Sequence, residues 1–118
     1  MTMQRQTLGK SGEDRAVCEL ERRGYAILAR RYRTRHGEID IVADDDGTIV
    51  FVEVKARATA ECGTAAEAVT SHKQRRLSAM AADYLARNHV TGGPCRFDVV
   101  AIDGGVVTVY PAAFDASR

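Results

Sequence analysis

Gly37-Glu38-Ile39-Asp40-Ile41-Val42-Ala43, then Asp44-Asp45-Asp46-Gly47, then Thr48-Ile49-Val50-Phe51-Val52-Glu53-Val54-Lys55 is the stretch that decides how this chain folds. β-Branched and aromatic residues on either side of an Asp/Gly cluster predict a β-hairpin. Residues two apart on a strand share a face, so Phe51, Glu53 and Lys55 point the same way. A turn over Asp44–Gly47 that sets Ala43 against Thr48 would place Asp40 opposite Phe51 and diagonal to Glu53. Diagonal neighbours lie roughly 7–8 Å apart, a gap two carboxylates can span through one metal ion. An apolar hairpin has no structural use for Asp, Glu and Lys on one face. Buried charges of this kind are costly unless they are paired or ligate a cation. Asp40, Glu53 and Lys55 are therefore a candidate site.

The rest of the chain is arranged around that hairpin. Residues 1–9 are polar and read as frayed, and Ser11 or Gly12 can cap a helix from about Glu13 to Arg23, stopped by Gly24. Tyr25 to Arg33 reads as a strand. Both hairpin strands are apolar on both faces, which implies a sheet covered on both sides. Residues 57–66 read as a loop. A second helix from about Ala65 or Ser71 to Asn88 carries Leu77, Met80, Ala81, Tyr84 and Leu85 on one stripe, with Lys73, Arg75, Arg76 and Arg87 elsewhere, and Thr91-Gly92-Gly93-Pro94 ends it. Cys95–Ile102 and Val106–Tyr110 read as strands about an Asp103-Gly104-Gly105 turn. The order α-β-β-β-α-β-β is that of an α/β three-layer sandwich, a mixed central sheet flanked by helices, with the crossover helix making strands three and four parallel. Tyr84 and Leu85 are read as core, not as a stacking platform.

At 118 residues the chain is long enough for one domain and too short for two. No apolar run reaches the length of a membrane span and no signal-peptide stretch opens the sequence, so a cytoplasmic location is expected. Cys18, Cys62 and Cys95 lack metal-site spacing and read as small buried hydrophobes. The net charge of +1 hides an asymmetry: nine basic side chains precede His36 against four acids, whereas Glu38 to Glu53 holds six acids and no base. A basic region beside an acidic pocket suits a protein that attracts phosphates and holds a divalent cation. Arg30, Arg31, Arg33, Arg35, Arg75 and Arg76 are the candidate nucleic-acid contacts. The first four could instead solvate an exposed strand edge.

Asp, a hairpin turn, then Glu-x-Lys resembles the signature of the PD-(D/E)xK nuclease superfamily, here Ile39-Asp40 and Glu53-Val54-Lys55. Gly12-Glu13, Gly37–Ala43, Phe51–Lys55, Ala68-Val69-Thr70 with Lys73-Gln74, Arg96–Val100 and Ala113-Phe114 together resemble the small bacterial YraN family of predicted endonucleases over roughly residues 8 to 115. Ile39 stands where the superfamily's name-giving proline would be. The resemblance implies a restriction-endonuclease-like core and similarity to Holliday-junction resolvases. There a glutamate of the first helix completes the metal shell, which points to Glu13, and a helix glutamine faces the site, which points to Gln74. Each has a plainer reading: Glu13 complements a helix dipole, and Gln74 faces solvent beside Arg75 and Arg76.

The chemistry follows from the residue types. Asp40 and Glu53 supply hard oxygen ligands for Mg²⁺ or Mn²⁺, and the Val54 carbonyl is placed as a third. Lys55 can orient the attacking water or neutralise the phosphate. A Glu53–Lys55 ion pair on an exposed strand is the alternative. The expectation is a Mg²⁺-dependent endonuclease acting on structured, branched or single-stranded DNA, with a homodimer suited to a symmetric junction. The rivals are a nucleic-acid-binding accessory protein on a nuclease scaffold and a hydrolase of small phosphate esters.

Overall fold

Strands β1 (Ala26–Thr34), β2 (Gly37–Asp45), β3 (Thr48–Arg57), β4 (Cys95–Asp103) and β5 (Val106–Phe114) lie side by side in chain order in one sheet. This is a computed structural model. It describes residues 2–57 and 69–115, with side chains from 12–56 and 69–115. The β3–β4 pair is parallel and every other pair antiparallel, because helix α2 (Ser71–Arg87) intervenes where a tight turn would otherwise reverse the chain. The expected α/β mixed sheet, in the order α-β-β-β-α-β-β, is thus what forms.

Cover on both faces explains the strands' doubly apolar pattern. Ile39, Val42, Phe51, Phe97, Val99 and Ala101 pack with Leu77, Met80, Ala81 and Tyr84 of α2. Ile41, Ala43, Val50, Val52, Val100 and Ile102 pack with Ala16 and Leu20 of helix α1 (Thr2–Arg22) on the other face. Tyr84 is core, as expected: its ring meets Tyr32 and Phe51 edge-on at 5.0 and 5.8 Å.

The hairpin register differs from expectation, and the difference matters. The turn is the two-residue Asp46-Gly47, both with positive φ (50° and 94°), the twist that suits a tight hairpin. Asp45 therefore pairs with Thr48 and Ala43 with Val50, not with Thr48. Asp40 comes opposite Glu53 when that register is continued, not opposite Phe51. The two-residue turn wins because it keeps Asp44 and Asp45 in the ladder.

Other boundaries move for local reasons. Helix α1 starts at Thr2 and not near Glu13, running through the stretch expected to be frayed. Its end is as expected: Gly24 (φ 95°) lets the Gly24 and Tyr25 amides return to the carbonyls of Glu21 and Leu20. Helix α2 is closed by His89 (φ 56°), ahead of the glycines expected to end it. Strand β5 continues past Tyr110 to Phe114 because it is an edge, where Pro111 has no ladder partner to lose on its open side. Cys18 and Cys95 are exposed rather than buried, while Cys62, the expected loop at 58–66 and the alternative helix start at Ala65 lie outside the described residues.

Candidate metal and nucleic-acid site

The sheet opens where the charged residues sit. Pairing between β2 and β3 stops at Ile41–Val52, and the next free amide of β3, Val54 N–H, donates to Asp40 Oδ2 at 2.8 Å. Asp40 thus fills the gap between the diverging strands. The faces switch there as well: Ile39 packs under α2, yet Ile41, two residues on, packs under α1. On β1 the matching irregularity is Arg31, whose φ of 50° breaks the alternation of the strand. Arg30 and Arg31 consequently reach the same carboxylate, each Nε donating to Glu13 at 2.9 Å.

Glu53 projects to the α2 face with Phe51 and is almost wholly buried. Its carboxylate lies within hydrogen-bonding reach of Asp40. Burial, that hydrogen bond and the Glu53 charge push the Asp40 carboxyl up to about 8, partly opposed by the Val54 amide. Asp40 therefore keeps its carboxyl proton at neutral pH. Lys73 of α2 makes an ion pair with Glu53 Oε2, but no donor meets that oxygen with hydrogen-bond geometry.

A cavity of about 270 Å³ opens beside Asp40 and is lined by Gly12, Glu13, Arg31, Glu38, Val54 and Ala56. At Gly12 α1 lies close to the sheet: a Cβ there would meet Ile102 Cδ1 at 3.6 Å, an ordinary contact. That approach brings Glu13 to the rim, where its charge contributes to the rise in Asp40. A larger groove of about 350 Å³ runs along Asp14, Cys18, Glu19 and Val107, but Asp14 and Glu19 are already ion-paired there. No group of three or more His, Cys, Asp or Glu is close enough to ligate one ion among the described residues. Any ion would therefore rest on two carboxylates, backbone oxygen and water, a set that suits Mg²⁺ or Mn²⁺ and not zinc.

Residues 12–102 match the profile described as "Uncharacterised protein family UPF0102". The chain belongs to this family. A UPF0102 protein of Symbiobacterium thermophilum is 51% identical over 98 residues, 83% of each chain. One of Ralstonia pickettii is 50% identical over 110 residues, covering 90% of this chain and 88% of its own. One of Desulfosudis oleivorans is 44% identical over 119 residues, 99% and 97% of the two chains. The resemblance read from the motifs is borne out at the level of the family. No helix among the described residues is long and apolar enough to cross a membrane.

Asp40, Glu53 and Val54 are thus brought together, with Glu13 lining the same cavity but held by Arg30 and Arg31. Lys55 follows Glu53 on the same side of β3, half-buried and in register with Ala101. Gln74 turns back on its own helix start, donating from Nε2 to the Val69 carbonyl at 3.0 Å. The arginines divide into two sets. Arg30 and Arg31 clasp Glu13, and Arg30 also pairs with Asp14. All six are exposed; Arg33 also pairs with Glu38 at 3.4 Å, and Arg76 comes close to Gly37, joining the β1–β2 turn to the start of α2.

Two features were not anticipated. Lys73 was set apart from the apolar stripe, yet it precedes Leu77 by four residues and so lies on the buried side; that spacing was the available signal. The second is fully buried Asp98, which accepts from Tyr25 Oη (2.9 Å), Arg96 Nε (2.8 Å) and Ala112 N (2.9 Å). Arg96 also bonds Asp45 at 2.9 Å. This network is saturated with protein partners and fixes the irregular β4–β5 pairing around Ala112 (φ 52°). In the sequence Arg96 and Asp98 stand out only as part of the Arg96–Val100 segment of the family resemblance, which assigns them no role.

Proposed function

We propose that this protein is a metal-dependent nuclease of the PD-(D/E)xK kind, hydrolysing phosphodiester bonds in structured, branched or single-stranded DNA with Mg²⁺ or Mn²⁺. The observation that carries the reading is the near-buried Glu53 beside Asp40 at the opening between β2 and β3, where the Val54 amide holds Asp40 and burial raises its carboxyl to about 8. Asp40, Glu53 and the Val54 carbonyl would hold the ion, with Glu13 across the cavity as a further oxygen. The ion would polarise the phosphate and lower the pKa of a bound water. Asp40 is kept in place by the Val54 amide through that exchange, so the site is organised beforehand. Lys55, on the same side as Glu53, is placed to orient the attacking water or to offset charge on the phosphate. Arg33, Arg35, Arg75 and Arg76 form the strip that takes the sugar-phosphate backbone. Such contacts position a strand without reading its bases. A phosphate engaging Arg30 or Arg31 would also release Glu13 toward Asp40.

Substrate geometry follows from shape. The carboxylates sit in an opening between two strands, reached more easily by a bent or splayed strand than by straight duplex. One such centre cuts one strand, so symmetric cutting of a junction takes two copies. A cleavage assay on single-stranded, duplex, flap and four-way-junction DNA with Mg²⁺ or Mn²⁺ tests the proposal. Cutting of the branched and single-stranded substrates is expected, falling about 10²–10⁴-fold in Lys55→Ala. Binding without cleavage of any substrate would defeat the enzymatic reading and leave an accessory nucleic-acid-binding protein.

A further inference from the structure

Lys73 stands where the start of a helix does not favour it. It is the third residue of α2, in a first turn that holds no acidic side chain. A cation there opposes the helix dipole, typically by about 0.3–1 kcal/mol. Its own amide donates to the capping Thr70 Oγ1 at 3.2 Å, so Lys73 occupies the position that Glu fills when helix starts are optimised for stability. A local preference set aside in this way points to a tertiary reason. The reason is across the core: its ammonium pairs with Glu53 Oε2, the oxygen that has no directed hydrogen-bond donor. Lys73 remains partly open to solvent (32%) while Glu53 is sealed (6%), so the lysine can withdraw and the glutamate cannot.

We propose that Lys73 is a tethered counter-ion for the carboxylate pair: it positions Glu53 beside Asp40 and is displaced from Oε2 when a divalent cation binds. The inference rests on the metal reading above. An ammonium lacks a ligand's lone pair and repels a second cation at close range, so Lys73 and the ion cannot both claim Oε2. Lys73 lowers the site's affinity while keeping its carboxylates folded inward. Its role is one of positioning, not of touching substrate.

The test is Mn²⁺ titration by calorimetry, at one pH and buffer, of wild type, Lys73→Met and Lys73→Arg, each first shown to melt cooperatively. Lys73→Met should bind Mn²⁺ about tenfold more tightly, and Lys73→Arg should stay near wild type. Equal or weaker binding by Lys73→Met, with wild type binding normally, overturns the counter-ion role alone. No binding by either protein overturns the metal reading together with it. Should Lys73→Met fail to fold, the unmutated protein still decides: the Lys73 side-chain NMR signals should shift on Mg²⁺ addition with the midpoint of binding. Signals that stay put at saturation overturn the proposal.

Discussion

Asp40 carries its proton in the folded protein at pH values where an unfolded chain has lost it. Its ordinary value of 3.8 is pushed up to about 8 by burial first, then by the hydrogen bond to Glu53 and the Glu53 charge. A carboxyl whose folded value is raised binds more protons folded than unfolded. Its contribution is therefore present at low pH and is lost as pH rises from about 4 through about 8. The expected outcome, in chelator, is a melting temperature that declines toward pH 8 and a smaller decline in Asp40→Asn. Asparagine keeps both the acceptor for Val54 N–H and a donor for Glu53, so at pH 8 the variant should be more stable by on the order of 2 kcal/mol. Parallel pH profiles for the two proteins would remove the proton from Asp40. At this scale the sequence drew attention to Asp40 and Glu53 but set them in the wrong register. Alternation along β3 put Glu53 and Lys55 on one face, but the turn length set the register. Three consecutive aspartates before Gly47 did not say which of them would leave the ladder.

The elements show which parts of a sequence reveal themselves. Apolar runs in β2 to β4 announced a sheet covered on both faces, because the pattern itself records two contacts. Gly24 announced the end of α1, since its backbone needs φ above zero. The breaks in regularity were not legible: Arg31 and Ala112 adopt positive φ for tertiary reasons, held by Glu13 and Asp98 respectively. Asp98 gives a clear test. Replacing it with Ala leaves Tyr25 Oη and the Ala112 amide without their acceptor and Arg96 with Asp45, which should cost about 1–3 kcal/mol in denaturant unfolding. Amide exchange should then rise first along β5, where Asp98 caps the irregular pairing. A loss under about 1 kcal/mol, with β5 protected as before, would show that the network does not hold that strand.

For the whole molecule, charge predicts how nucleic acid is met. The asymmetry between a basic N-terminal third and an acidic hairpin was legible from the sequence, but its partition was not. Arg30 and Arg31 are held by the near-buried Glu13, whereas Arg33 pairs with Glu38 at the surface and Arg35, Arg75 and Arg76 are exposed. DNA affinity should fall steeply with salt, by a log–log slope of about −0.9 per phosphate neutralised on duplex. Arg33→Gln with Arg35→Gln should flatten that slope by about two contacts, and Arg30→Gln by less, without creating sequence preference. Salt-insensitive binding would reduce the strip to a solvated surface. A four-way junction should bind more tightly than linear duplex at equal salt, and equal affinities would remove the shape argument. All of this presumes that the gap between β2 and β3 is a cation site, which Mn²⁺ calorimetry on wild type and Asp40→Ala tests most directly. One weak site is expected in wild type and none in the variant; binding undiminished by the loss of Asp40 would put the ion elsewhere.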